Sequence, residues 1–88
     1  MTRIPPSMTD YPSSPDAVEA QCLRIYERIL GVTDLQPGDE FIRVGGDSMK
    51  AVLIATELES AFGVELSMAT FYEHTNVAEI ANWLRGAR

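Results

Sequence analysis

Cysteine, histidine and basic residues are scarce in this sequence. One cysteine and one histidine are present, which excludes an internal disulfide and a cysteine-based metal cage. Seven basic residues stand against thirteen acidic ones, and the net charge is −6. Because no basic cluster offsets this charge, the chain is predicted to bind neither nucleic acid nor an anionic membrane.

Long apolar runs are also missing. No segment matches the apolar region of a signal peptide or reaches the length that spans a membrane. The single cysteine, Cys22, falls on the apolar side of a predicted helix, which indicates a core residue in a reducing compartment. A chain of 88 residues can bury one modest core but has little room for an enclosed active site. We therefore expect a cytoplasmic protein of one domain that is not an enzyme by itself.

Proline is concentrated at the start of the chain, where MTRIPPSMTDYPSSP contains four prolines. This composition predicts a disordered tail over residues 1–13 and a folded domain over residues 14–88. Within the domain, helical spacing of apolar residues and capping residues predict an all-α fold without strands. The predicted helices cover 15–30, 48–62, about 68–73 and a last segment from Asn76. The predicted N-caps are Ser14, Asp47, Ser67 and Asn76, and the predicted stops are Gly31 and Gly63.

A long connection joins the first two predicted helices. Pro37 and Gly38 fit the central positions of a type II turn. Four apolar side chains are predicted to anchor this loop to the helices: Val32, Leu35, Phe41 and Ile42. A connection of this length is typical of a functional segment when it is anchored rather than disordered.

The second helix has two apolar groups on different sides. The inward face is predicted to consist of Ala51, Ile54, Ala55, Leu58 and Phe62. Met49 and Leu53 fall on the opposite side, beside the Ser48 hydroxyl. Two interpretations are open at this point: the pair forms an exposed docking patch, or it lies under the long loop.

Ser48 lacks the neighbours of a hydrolytic nucleophile. Lys50 replaces the second glycine of a nucleophile elbow, and Ala51 stands where a Ser-x-x-Lys motif needs lysine. The lone His74 is more typical of a surface or capping residue than of a base. A helix N-terminus does favour an attached phosphate, provided that Asp47 turns back to cap the helix. From these residues alone, a plain capped helix remains an alternative.

Three segments carry a family resemblance: FIRVGGDSMKAV, ELESAFGVEL and TFYEHTNVAEIANWL. From about residue 16 to residue 85 the chain resembles the acyl and peptidyl carrier proteins. The resemblance implies a four-helix bundle of acyl-carrier type with three main helices, one short helix and a long loop between helices one and two. It also implies that Ser48 receives a 4′-phosphopantetheine group from coenzyme A, with Gly45, Gly46 and Asp47 forming the loop before it.

The resemblance also implies a set of partner enzymes. A phosphopantetheinyl transferase would install the arm, an adenylation enzyme or acyltransferase would load it, and condensation, tailoring or thioesterase enzymes would use the cargo. The protein is then a monomeric carrier on which a thioester keeps an acyl or aminoacyl group activated. Its predicted docking residues are Met49, Leu53, Met68 and Tyr72.

The motifs GGDSMKA and IANWL resemble carriers of nonribosomal peptide or polyketide assembly lines more than fatty acid carriers. The second helix contains only two acids, Glu57 and Glu59, whereas fatty acid carriers typically have a strongly acidic one. The favoured interpretation is a peptidyl carrier of nonribosomal peptide or hybrid polyketide synthesis. Since the chain begins with Met1 and ends just past the last helix, it resembles a free-standing carrier, with a domain excised from a larger synthetase as the alternative. The alternatives are an acyl carrier of polyketide or fatty acid synthesis and, more distantly, a helical interaction module or a small serine hydrolase.

Overall fold

The computed structural model describes residues 15–87. The predicted tail over residues 1–13 and the predicted cap Ser14 lie outside the described residues. Four α-helices follow one another in this part of the chain: α1 (Pro15–Leu30), α2 (Ser48–Phe62), α3 (Met68–Glu73) and α4 (Val77–Ala87). One turn of 3₁₀ helix, Ile42–Val44, precedes α2, and residues 15–87 contain no strand. The predicted all-α fold with one short helix and a long α1–α2 loop is confirmed.

The helices meet in one apolar core. α1 packs against α2 and α4, and α2 packs against α3. The predicted inward face of α2 is buried along its whole length, and Phe71 is the buried residue of α3. On α1, Cys22 and Tyr26 lie in the core while Ile29 packs at its edge. None of the helices in residues 15–87 combines the length and the apolar character needed to cross a bilayer.

The α1–α2 loop is anchored to the core, but Ile42 is not one of its anchors. Leu35 and Phe41 are buried, and Val32 packs partly against the core. Ile42 is 68% exposed, so this part of the prediction is wrong. A 3₁₀ turn has three residues per turn; with Phe41 pointing inward, Val44 three residues later packs on the core and Ile42 points outward.

A turn at Pro37 and Gly38 connects the loop to α4. It is closed by the Asp39 N–H, which donates to the Gln36 carbonyl over 3.0 Å, so its position is as predicted. Its type is not, since Gly38 lacks the positive φ that a type II turn requires there. The Pro37 carbonyl accepts a hydrogen bond from the Ala78 N–H at 3.0 Å, and this contact with the first turn of α4 fixes the orientation of the central peptide.

Side-chain caps fix the starts of α3 and α4. The Ser67 hydroxyl accepts from the Thr70 N–H at 3.1 Å, and Asn76 Oδ1 accepts from the Glu79 N–H at 2.9 Å. The Glu79 carboxylate reaches the Thr75 N–H at 3.2 Å, one residue before the position that a capping box predicts. Both helices therefore begin where the sequence places them.

The Tyr26 hydroxyl is buried and has no hydrogen-bond partner among residues 15–87. Burial raises the pKa of Tyr26 above its usual range, and the nearby Cys22 adds to this effect. We expect Tyr26→Phe to stabilise the domain by about 1 kcal/mol, because an unpaired buried hydroxyl is destabilising by about that amount or more. For a domain of this size the melting temperature should rise by about 4–8 °C. Circular dichroism melting checks this, and a lower melting temperature would show that the hydroxyl makes a stabilising contact.

Candidate functional site

The predicted attachment loop lies between Phe41 and Ser48 and leads directly into α2. The 3₁₀ turn ends at Gly45, whose φ of 100° is left-handed, a conformation that favours glycine. The Gly46 N–H then donates to the Phe41 carbonyl over 2.9 Å. This hydrogen bond closes the loop directly ahead of Asp47.

Asp47 is the N-cap of α2, as predicted. Its backbone is extended, and its side chain accepts a hydrogen bond from the Lys50 N–H at 2.9 Å. Removing such a cap typically destabilises a helix by about 1 kcal/mol. The Asp47 carboxylate therefore turns back to cap the helix, which is the arrangement required if Ser48 is to carry an anionic group.

Ser48 is the first residue of α2 and is exposed. Within residues 15–87 its hydroxyl makes no hydrogen bond, so its oxygen is accessible to another molecule. The first turn of α2 contains no acidic residue, and the Lys50 ammonium lies 3.4 Å from the Gly45 carbonyl oxygen. The positive end of the helix dipole and this lysine both favour negative charge at Ser48.

His74, the side chain that a serine hydrolase would have to use as its base, is not joined to Ser48. The His74 ring lies beside that of Trp83, with centroids 6.4 Å apart. The backbone N–H of His74 donates to the Phe71 carbonyl. No hydrogen bond links the His74 and Ser48 side chains in the described residues. This arrangement lacks the nucleophile–base pair of a serine hydrolase.

The predicted docking residues lie on two neighbouring helices, α2 and α3. Met49 is 73% exposed and Leu53 is 51% exposed, so the interpretation that they lie under the loop is wrong. Tyr72 is also exposed, while Met68 is half-buried against the core. Val52, which sequence reasoning missed, is as exposed as Leu53.

Both acidic side chains of α2 are engaged within the domain. Glu57 forms an ion pair with Arg28 of α1 at 2.8 Å. The Glu59 carboxylate accepts a hydrogen bond from the Leu66 N–H, also at 2.8 Å. These acids lie at least two turns from Ser48, and the large side chains exposed on α2 closer to Ser48 are the apolar Met49, Val52 and Leu53.

Comparison with known families and sequences gives consistent matches. The family model described as "Phosphopantetheine attachment site" matches residues 22–84. Tyrocidine synthase 3 of Brevibacillus parabrevis is 33% identical over 76 residues, which is 86% of this chain and 1% of that protein. Polyketide synthase PksN of Bacillus subtilis (strain 168) is 33% identical over 67 residues, 76% of this chain and again 1% of that protein. The chain thus spans a very small part of these relatives.

Two solved structures have a similar fold and align with most of this chain. BlmI, a type-II acyl carrier protein from Streptomyces verticillus involved in bleomycin biosynthesis, has a TM-score of 0.78 and 26% identity, covering 82% of this chain and 87% of that one. A chain from the structure of the phosphopantetheine transferase Sfp in complex with coenzyme A and a peptidyl carrier protein has a TM-score of 0.77 and 28% identity. The match covers 80% of this chain and 91% of that one.

Proposed function

The chain belongs to the phosphopantetheine attachment family, and we propose that Ser48 is the residue to which the group is attached. The observation that carries this proposal is the exposed hydroxyl at the first position of α2, which makes no hydrogen bond within the described part of the chain. The family and the prosthetic group expected from the sequence are confirmed by the family match. The assignment to Ser48 rests on the geometry of the loop and the helix start.

Attachment is a phosphoryl-type transfer in which Ser48 is the acceptor. The Ser48 oxygen forms a bond to the phosphorus that carries the pantetheine arm of coenzyme A. The pyrophosphate bond breaks, adenosine 3′,5′-bisphosphate leaves, and the hydroxyl proton passes to a base. Because His74 packs beside Trp83, we assign that base to a separate transferase and regard the chain as a non-catalytic substrate.

The residues around Ser48 fit the phosphodiester that results. The free N–H groups in the first turn of α2 and the Lys50 ammonium favour its negative charge. Asp47, the acid next to it, is engaged with the Lys50 N–H and so points back along the helix. The attached group, once bound, supplies a thiol on a long arm that can hold an acyl or aminoacyl group as a thioester.

The cargo that we propose is an aminoacyl or peptidyl group of a nonribosomal peptide or hybrid polyketide pathway. One relative is a tyrocidine synthase and another is a polyketide synthase, so sequence similarity alone does not choose between the peptide and polyketide branches. The α2 surface favours the peptide branch, since the helix carries only two acids, Glu57 and Glu59, and each of them is paired within the domain. The partners would be a transferase, an adenylation enzyme and condensation or thioesterase enzymes.

The location of the protein is part of the same proposal. Cys22 is a free thiol within the core, as is usual for proteins of a reducing compartment. We therefore place the carrier in the cytoplasm, where its proposed partner enzymes would act.

The direct test of the function is loading. The protein should gain one phosphopantetheinyl group when incubated with coenzyme A and a promiscuous phosphopantetheinyl transferase, as measured by intact mass. A parallel sample without coenzyme A should keep its mass. A wild-type mass that stays unchanged under conditions that load a known carrier would refute the proposal.

We propose that the transferase docks on the exposed apolar side chains beside Ser48. Met49 and Leu53 are exposed and lie four residues apart on one side of α2, and Met49 directly follows Ser48 in the chain. Tyr72 of α3 and the half-buried Met68 extend this surface, because α3 packs against α2. A small apolar surface suits weak, successive docking by several enzymes better than a large one does.

Leu53→Glu should raise the KM of the transferase for the carrier by about tenfold, which corresponds to about 1.4 kcal/mol of lost docking free energy. The melting temperature should hardly change, since substitutions at exposed positions rarely alter stability by more than about 0.5 kcal/mol. Initial loading rates and circular dichroism measure the two effects. Ser60→Glu, at an exposed position two turns further along α2, adds the same charge and should load normally; equal rates for the two variants would contradict the docking assignment.

A further inference from the structure

The adjacent glycines of the loop are required for different physical reasons. Gly45 has a left-handed φ of 100°, but a Cβ added to it would meet nothing within 4 Å. Gly46 has no such φ, yet an added Cβ would lie 2.5 Å from Cε2 and Cζ of the Phe41 ring and 2.6 Å from Cδ2. The backbone conformation therefore selects glycine at position 45, and the Phe41 ring selects it at position 46.

The Phe41 ring is held in place from several directions and has little freedom to move away. It meets the Phe71 ring edge-on at 5.4 Å and the Tyr26 ring edge-on at 6.3 Å. The Phe41 N–H donates to the Thr75 carbonyl over 2.8 Å, and the Phe41 carbonyl accepts from the Gly46 N–H. Phe41 is only 4% exposed. The loop ahead of α2 is thus fixed to α1, α3 and the α3–α4 connection through this one residue.

We propose that Phe41 is a positioning residue for the modification of Ser48. Its ring is the surface on which Gly46 rests, and only Asp47 separates Gly46 from Ser48. A displacement of Gly46 from the ring is therefore passed to the start of α2 and moves the hydroxyl relative to Leu53, the docking residue more than one turn further along the helix. This inference rests on the proposed function, since it concerns the same hydroxyl, but it assigns a role to a residue that does not touch the reacting atoms.

The proposal predicts a change in kcat rather than in KM. The docking residues Met49 and Leu53 are on α2 and are not altered when Gly46 or Phe41 is substituted. A transferase should therefore bind such variants normally but hold the hydroxyl in the wrong place. Because a misplacement of about 1 Å can slow a reaction by up to about 100-fold, we expect Gly46→Ala to lower the kcat of loading by at least about tenfold.

Rescue by a second substitution separates positioning from general damage. Phe41→Leu removes Cε2 and Cζ, two of the three ring atoms that an alanine at position 46 would meet, and replaces the rigid ring by δ-methyl groups that can rotate away from the third contact. The double variant Phe41→Leu with Gly46→Ala should therefore load faster than Gly46→Ala alone, with a kcat close to that of Phe41→Leu alone. Gly45→Ala is the matched control, because its defect lies in the backbone φ and Phe41→Leu should not restore it.

Stability is controlled with a core variant elsewhere. Leu84 is fully buried two turns into α4, so Leu84→Val weakens the core without touching the loop. All rates are measured well below the lowest melting temperature of the set, with coenzyme A and one transferase. Phe41→Leu alone should load with a reduced kcat, and Leu84→Val should load with the wild-type kcat.

The outcomes distinguish the two proposals. If the wild type is not loaded at all, the proposed function fails. If the wild type is loaded and Phe41→Leu keeps the wild-type kcat, the positioning role is wrong, whether or not Gly46→Ala folds. Rescue of Gly45→Ala to the same extent as Gly46→Ala would also overturn it, since a general gain of loop freedom would then explain both.

Discussion

Ser48→Ala will abolish loading with phosphopantetheine while leaving the fold intact. The hydroxyl is the acceptor atom in the proposed reaction, and an alanine side chain has no oxygen to replace it. Ser48 is exposed at the first position of α2, and its hydroxyl makes no hydrogen bond in the described residues. Its removal therefore changes little else, and stability should stay within about 0.5 kcal/mol of the wild type. Intact mass after reaction with coenzyme A and a transferase measures the loss.

The matched control for this experiment lies on the same helix. Ser60 is exposed near the other end of α2, and Ser60→Ala should load as fast as the wild type. Circular dichroism shows whether the two variants keep the same helix content and melting temperature. Full loading of Ser48→Ala would contradict the assignment, and loss of loading in both variants would indicate damage to the helix rather than removal of the acceptor.

The second large effect concerns the thiols of the loaded protein. Cys22 has no exposed surface, and burial raises its pKa to about 12; Glu19 adds to this shift and Arg85 opposes it. Since the thiolate is the reactive form, both its accessibility and its ionisation are suppressed at neutral pH. We expect iodoacetamide at pH 8 to alkylate the arm thiol at least about 100-fold faster than Cys22, because a free thiol has a pKa near 8.5.

This difference has a functional consequence. A cargo bound to the arm cannot pass to Cys22, and the arm cannot form a disulfide with it, while the domain stays folded.

The unloaded protein in buffer should remain unlabelled, and the same protein in concentrated urea should take up one label at Cys22. Rapid labelling of the unloaded, folded protein would show that α1 opens often enough to expose its core.

Local chemistry made the start of α2 predictable. An N-cap involves residues within one turn of each other, so Asp47 and its hydrogen bond to Lys50 follow from the sequence alone. The spacing of apolar residues likewise identified the buried face of α2 and left Met49 and Leu53 outside. These features depend on helical geometry, which is the same in every helix.

Contacts between residues on different elements, and side-chain directions in the 3₁₀ turn, could not be predicted in the same way. The sequence placed Gly46 in the loop before Ser48, but it did not indicate that the Phe41 ring packs against this glycine. Ile42 was expected to anchor the loop because it is apolar, but its position in the 3₁₀ turn points it outward. Nothing in the spacing of Glu57 indicated its ion pair with Arg28 on α1, because that contact is made only when α1 and α2 pack.

Peptide mapping of the loaded protein shows which residue carries the added group. The wild-type protein, loaded with coenzyme A and a transferase, is digested and its peptides are sequenced by tandem mass spectrometry. We predict that all of the added mass lies on the peptide that contains Ser48, and that the fragment ions assign it to that residue. Added mass on any other serine, or on Cys22, would contradict it.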